Sequence, residues 1–312
     1  MEIHFEIENK CLLKCKHCSS YATDVGDNME YSIEDILYFL SLLDEKKEKE
    51  IFLTGGEPLL HPQIIEIIKI IKQKIPNTKI GLFTSGIIEE KEKLCPLSQK
   101  TAKELAEVGL ERCYFSIYSD CKNQHDWMTG CNGSFECTKD TIRLLEENGI
   151  EVRFNTVVTA FNLDRLKNII EMAKEWKISE VRFLKLICHG RARDSWTQIG
   201  VDEKKYRSLI QNIVKREKNI VITASGIEDV IPCRKFCGIG ECPAGKQLWY
   251  ITYRGEIYPC ASVKNNSSFF LGKISDIAIE KKLRKYEREA TVGMLCHKRQ
   301  DKRQKQEAMP LS

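Results

Sequence analysis

Residues 2–18 read EIHFEIENKCLLKCKHC. The stretch from Ile3 to Glu8 is β-branched and aromatic enough for a pleated strand, and Cys11, Cys15 and Cys18 follow it at once in a loop made polar by Lys14 and Lys16. Outward from this start, strand-like runs recur as EIFLTG from Glu50, KIGLFTS from Lys79, ERCYFSIY from Glu111, EVRFNTVVT from Glu151 and EVRFLKLI from Glu180. Between them lie SIEDILYFLSLLDEKK (32–47), HPQIIEIIKIIKQKI, SQKTAKELAEVG, SFECTKDTIRLLEENG and LDRLKNIIEMAKEWK, with apolar residues at helical spacing. Strand and helix alternating in this way predict about six βα units around a parallel sheet. The mostly apolar strands call for helical cover, so the expected fold is α/β, a partial (β/α)6 barrel. Ser32 and Asp35 form a capping box with Asp in the usual Glu position, and Gly109 and Gly149 stand where helix C-caps are expected.

After an amphipathic helix over Asp202 to Lys218 the rhythm stops, and a Cys- and Gly-rich segment begins near Pro232. The expected organisation is a barrel over 1–225 and a small C-terminal Cys-rich β-hairpin/helix extension over 226–312. Within the extension, QLWYITYRGEIYPC reads as a hairpin turning at Arg254-Gly255. The run KRQDKRQKQE from Lys298 reads as a solvated tail.

A chain of 312 residues can bury a core without disulfides. With 49 basic and 45 acidic side chains the net charge is only +4, which is no argument for nucleic acid, and none is expected as a partner. No apolar stretch approaches the roughly 20 residues of a membrane span, and the acidic start does not resemble a signal peptide, so a cytoplasmic location away from membranes is expected. In that reducing compartment the 14 cysteines point to metal or redox chemistry rather than to a disulfide framework.

The spacing Cys11-LLK-Cys15-KH-Cys18 can wrap three thiolates around one face of a four-iron cubane and leave one iron open, as a catalytic cluster requires. Zinc would want a fourth ligand, for which His17 lies inside the tight loop, and Lys14 and Lys16 argue against simple core packing. One strand later comes Thr54-Gly55-Gly56-Glu57-Pro58. Paired glycines allow close backbone approach, and a carboxylate can accept from an ammonium.

These motifs resemble the radical S-adenosylmethionine superfamily, whose hallmark is a CxxxCxΦC loop after the first strand of a partial barrel. The resemblance implies a 4Fe-4S cluster on Cys11, Cys15 and Cys18, with His17 against the adenine and Gly55, Gly56, Glu57 and Pro58 around the methionyl amino group. FTSG (83–86) stands at a TNG-like strand end and implicates Ser85; FSIYS (115–119) stands where the family often has SLDG and implicates Ser116. HDWMTGCNGSF (125–135) resembles HDxxRGxxGSF, but Thr129 replaces the usual basic residue, so Arg153 and Asn155, on one strand face, are the substitute candidates for the cofactor carboxylate; structural barrel-lining roles fit them equally. The implied chemistry is reductive cleavage of S-adenosyl-L-methionine to a 5′-deoxyadenosyl radical that abstracts hydrogen from a substrate carbon. An electron donor such as flavodoxin or ferredoxin is implied with it.

The segment Cys242-PAGKQLWYITYR-Gly255-EIYP-Cys260 resembles the start of a SPASM or Twitch extension, which implies an auxiliary 4Fe-4S cluster on Cys242 and Cys260. Cys296 and either Cys233 or, by preference, Cys237 complete the set; a zinc ribbon is the alternative. Cys113 and Cys188 read as buried strand residues, and Cys121, Cys131 and Cys137 as candidates for a hydrogen donor near the substrate mouth. The favoured substrate is a ribosomal peptide or a protein side chain, the alternative a small metabolite. Counting against the peptide, the sequence starts at the first barrel strand, with no stretch ahead of it for a leader-binding domain. A non-catalytic iron-sulfur or zinc module is the reading from another class, and it would have no need of Gly55-Gly56-Glu57.

Overall fold

The computed structural model of the chain describes residues 1–27, 29–43, 48–227, 229–234 and 238–289. Its elements are β1 (Glu2–Glu8), α1 (Ile33–Leu42), β2 (Glu50–Gly55), α2 (Ile64–Lys74), β3 (Lys79–Thr84), β4 (Ile87–Glu90), β5 (Lys93–Pro96), α3 (Gln99–Glu107), β6 (Leu110–Ser116), α4 (Lys122–Thr129), α5 (Ser134–Glu147) and β7 (Glu151–Val158). They continue with α6 (Leu166–Glu175), β8 (Glu180–Lys185), α7 (Arg191–Asp194), α8 (Trp196–Ile199), α9 (Glu203–Arg216), β9 (Val221–Ala224), β10 (Leu248–Ile251), β11 (Glu256–Tyr258), β12 (Gly272–Lys273) and α10 (Ile279–Glu289). Strands β1-β2-β3-β6-β7-β8 lie side by side in that order, every neighbouring pair parallel, which is the expected partial (β/α)6 barrel. None of the described helices is long and apolar enough to cross a membrane.

The period of two sorts β1 into two faces. Ile3, Phe5 and Ile7 are fully buried against the helices, with the Phe5 ring edge-on to Phe39 of α1. The alternate residues His4, Glu6 and Glu8 are also buried, and they turn to the barrel interior, where they become part of the site or its supports. Ser32 and Asp35 close the capping box that starts α1, and Gly109 and Gly149 take the left-handed conformation after their helices.

Four features depart from the sequence expectation. Residues 87–96 form a separate antiparallel hairpin whose turn places Lys91 and Glu92 at positive φ, without the Gly or Asn that would announce it. Helix α1 stops at Leu42 with Leu43 extended, short of Lys47; residues 44–47 lie outside the described residues. Strand β8 ends at Lys185, so Cys188 sits half-buried in the following loop rather than in the strand. Finally, β10 pairs in parallel with β1, Leu248 opposite Glu2, so the expected hairpin β10–β11 is hydrogen-bonded onto the barrel sheet.

Candidate active site

The Cys11–Cys18 loop leaves the C-terminal end of β1 and is held from three sides. The Cys11 N–H donates to Thr23 O at 2.7 Å; the Lys14 and Lys16 N–H groups donate to Thr129 O and Met128 O at the end of α4, at 2.8 and 3.0 Å; and Cys18 O accepts from the Arg191 N–H at 2.9 Å. All three cysteines line one cavity of about 330 Å³ in the barrel interior. Burial, with the nearby Glu57 carboxylate adding to it, pushes the Cys11 thiol up to about 12. Cys15 is raised well above its ordinary value by burial and then by its neighbours Cys11 and Cys18. Desolvated thiols such as those of Cys11 and Cys15 ionise readily only when a metal supplies the opposing charge. Among the described residues no three His, Cys, Asp or Glu side chains converge on a position for one ion. Three cysteines of one loop on one cavity wall are the donor set that a polynuclear cluster takes, each thiolate on its own iron.

The Gly55-Gly56-Glu57 turn borders the same cavity, but its glycines answer to the chain and not only to a ligand. A Cβ on Gly55 would stand 1.9 Å from Glu8 O, and one on Gly56 2.1 Å from Lys10 O. Gly56 and Glu57 donate their N–H groups to those same carbonyls at 2.7 and 2.8 Å, so the turn is stitched to the chain leaving β1. This draws the Glu57 carboxylate, almost fully buried, into the cavity wall. Its Oε1 accepts from the Thr84 hydroxyl and Leu59 N–H, and its Oε2 from the Ser85 N–H and hydroxyl. Burial raises its proton affinity against the pull of those donors, first the Ser85 and Thr84 hydroxyls. Pro58 starts the short helical turn beyond Glu57 and is buried away from the cavity.

Of the other expected contacts, His17, Ser85, Ser116 and Asn155 line the cavity. The His17 ring packs on Tyr118 at 4.5 Å between centroids. Burial, then Arg191 and His125, push His17 down to about 3, so it is neutral and its buried Nδ1 has no hydrogen-bond partner. The Asn155 Oδ1 is likewise buried without a partner. Arg153 does not reach the cavity. It lies two residues nearer the start of β7, and its guanidinium donates to Glu151, Glu180 and the Tyr114 hydroxyl at 2.8, 2.8 and 2.7 Å. The structure thus gives it the barrel-lining role. Tyr118, Arg182 and Arg191 also face the cavity and were not anticipated, because no local motif marks them. Asp126 of the HDWMTGCNGSF segment accepts from Gly133 and Phe135 N–H and the Ser134 hydroxyl, and so caps the turn into α5. Cys121, Cys131 and Cys137 are not on the cavity wall.

A second cysteine group shares the cavity. Cys233, Cys242 and Cys260 line it. They belong to segments beside the opposite, N-terminal end of β1 and β10: Ala244 bridges to Leu248, Gly245 N–H bonds to Pro259 O, and the Arg234 guanidinium reaches Glu2 at 3.2 Å. Arg234 also lies 3.3 Å from the Cys233 sulfur. Cys237 and Cys296 lie outside the described residues.

The sequence profile of the Radical SAM superfamily matches residues 5–173, more than half of the chain. The antilisterial bacteriocin subtilosin biosynthesis protein AlbA of Bacillus subtilis (strain 168) is 28% identical over 280 residues, covering 88% of this chain and 58% of AlbA. An AdoMet-dependent heme synthase of Oleidesulfovibrio alaskensis is 26% identical over 208 residues, covering 67% of this chain and 51% of that protein. The chain thus spans a little over half the length of either relative. Among solved structures, Streptococcus suis SuiB bound to precursor peptide SuiA shares the fold with a TM-score of 0.64 at 18% identity, covering 92% of this chain and 64% of SuiB. A profile match over that length, falling on the cysteine loop and the glycine-glutamate turn, makes this chain an enzyme of the radical SAM superfamily.

Proposed function

We propose that the chain modifies a carbon centre in a ribosomal peptide or a protein side chain, using one cluster on Cys11, Cys15 and Cys18 and an auxiliary cluster in a SPASM/Twitch-like segment over 226–312. The observation that carries this reading is the pair of cysteine groups at opposite ends of one cavity. A substrate held between them has a hydrogen-abstracting site on one side and an electron acceptor or ligand on the other. When bound, the first cluster with S-adenosylmethionine supplies the 5′-deoxyadenosyl radical. The protein's own part is to hold the cofactor and exclude water. Glu57 offers its carboxylate to the methionyl ammonium, with Ser85 orienting it; His17 presents a neutral ring to the adenine; Ser116 and Asn155 offer polar groups to the rest of the cofactor. The second cluster takes Cys242 and Cys260, with Cys233 on the same wall and Cys237 and Cys296 as further candidates. A flavodoxin- or ferredoxin-type donor delivers the electron. The subtilosin relative and the fold shared with peptide-bound SuiB support a peptide substrate.

The heme synthase relative favours a second reading, a small metabolite. Anaerobic reconstitution tests the chemistry first: 5′-deoxyadenosine should form under strong reductant and vanish in the Cys11→Ala, Cys15→Ala, Cys18→Ala variant. Co-expression with any short reading frame beside the gene then tests the substrate. A mass change in that peptide supports the first reading, and an unmodified peptide alongside active cofactor cleavage turns the assignment to the second.

A further inference from the structure

The segment Cys188-His189-Gly190-Arg191 follows β8. Its contacts converge on the first cysteine loop. Gly190, at φ +58°, lies so close that a Cβ there would stand 2.3 Å from Cys18 O and 2.9 Å from Ser19 O. The Arg191 N–H donates to Cys18 O at 2.9 Å. Its side chain reaches back over the loop, Nε donating to Cys15 O at 3.0 Å and Nη1 to Ala22 O at 2.7 Å. The guanidinium also stands 5.7 Å from the centre of the Tyr21 ring, whose hydroxyl bonds to Asp194 at the end of α7. Main-chain carbonyls on both sides of Cys18 are therefore gathered by one dipeptide from the far side of the barrel.

The charge matters as much as the grip. The arginines and lysines deeper in the barrel are committed to carboxylates: Arg182 and Arg234 to Glu2, Lys264 to Glu6 and Lys185 to Glu203. Among the described residues no carboxylate pairs with Arg191, whose partners are neutral carbonyls. Its positive charge is held against the cysteine loop by geometry, through hydrogen bonds to the main-chain carbonyls of Cys15 and Cys18. A cluster that takes up one electron from its donor becomes more negative by one charge, and a fixed cation beside it stabilises the reduced form.

We propose that Gly190 and Arg191 clamp the Cys11–Cys18 loop, and that Arg191 is a positioning residue whose unopposed charge raises the reduction potential of the first cluster. This rests on the reading of that loop as the cluster site.

The two functions separate in two variants, Arg191→Gln and Arg191→Lys, reconstituted anaerobically in the full chain. Two quantities are read: the midpoint of the EPR signal that disappears in the Cys11, Cys15, Cys18 triple Ala variant, and the rate at which a ferrous chelator strips iron. Arg191→Gln should shift the midpoint to more negative potential and release iron several-fold faster. Arg191→Lys keeps the charge but loses the planar fork, so it should release iron faster at a nearly unchanged midpoint. A wild-type midpoint and release rate in Arg191→Gln would overturn the proposal, and so would a midpoint in Arg191→Lys as low as in Arg191→Gln. If Arg191→Gln does not fold by circular dichroism, the Lys variant decides: wild-type iron release there removes the clamp. A triple Ala variant that keeps every iron of the wild type would instead sink the assignment of the loop, leaving a result distinct from failure of the clamp.

Discussion

Glu57 receives four donors on a carboxylate that offers about four acceptor positions. An arriving ammonium must therefore take the place of a hydroxyl, and the Ser85 hydroxyl, itself on the cavity wall, is positioned to yield. Glu57→Gln should weaken S-adenosylmethionine binding ~10–100-fold, since a hydrogen bond to a charged group contributes about 1.5–3 kcal/mol, while iron content stays constant. Ser85→Ala removes a neutral donor whose place the ammonium would take, so its loss should stay under ~10-fold. Equilibrium binding to the reconstituted protein checks both. Equal losses in the two variants would place Ser85, rather than Glu57, in direct contact with the cofactor.

At the scale of the element, the strand-to-helix turn after β2 and the helix C-caps both contain glycine, for different reasons. Gly149 has positive φ and nothing within 4 Å of a Cβ, so Gly149→Ala should cost about 1–2 kcal/mol from backbone conformation alone. Gly56 is not in the left-handed region, yet a methyl there would meet the Lys10 main chain. Gly56→Ala must displace the chain that leads into Cys11, and it should lower bound iron as well as stability. Urea midpoints and iron analysis of the two variants separate the cases: iron loss in Gly149→Ala, or full iron in Gly56→Ala, would contradict this account. Both glycines are visible in the sequence. Only the structure shows that one of them serves a neighbouring loop.

Across the whole molecule, buried charge ties the barrel together at its N-terminal end and ties the C-terminal hairpin to it. Although partial burial opposes its ionisation, hydrogen bonds from Arg153, Ser179 and Arg112 hold the Glu151 carboxyl at about 2. A carboxylate whose folded value is depressed stabilises the fold above its unfolded value, roughly 4.3, and that stability is lost as pH falls through about 2. The melting temperature should therefore drop between these limits by less in Glu151→Gln than in the wild type; equal slopes would refute the linkage. At the other tie, Lys264 Nζ lies 2.9 Å from Glu6 Oε1, both side chains nearly inaccessible, and reaches Ser20 and Tyr250 as well. Lys264→Met leaves Glu6 buried without this cation and should cost about 3–5 kcal/mol in chemical denaturation. A loss within the error of the measurement would show that the hairpin is held by main-chain pairing alone.

The six βα units and the cysteine loop were legible in the sequence because both rest on local information: a hydrophobic period within each segment, and ligand spacing within one loop. Capping residues and the β10–β11 turn were legible for the same reason, whereas the end of β8 at Lys185 was not, because the apolar run continues through Leu186 and Ile187. The hairpin over 87–96 was not, because its left-handed turn residues are Lys91 and Glu92. Nor was the fate of Arg153 and Asn155: period two puts them on the same face, but depth along the strand puts one among Glu151 and Glu180 and the other on the cavity wall. The approach of Cys233, Cys242 and Cys260 to the cavity holding Cys11, and of Arg191 to the loop that carries it, depends on β10 docking against β1 and on β8 closing toward the first loop. Contacts between residues more than a hundred positions apart are set by packing and burial, and no spacing within a single segment encodes them.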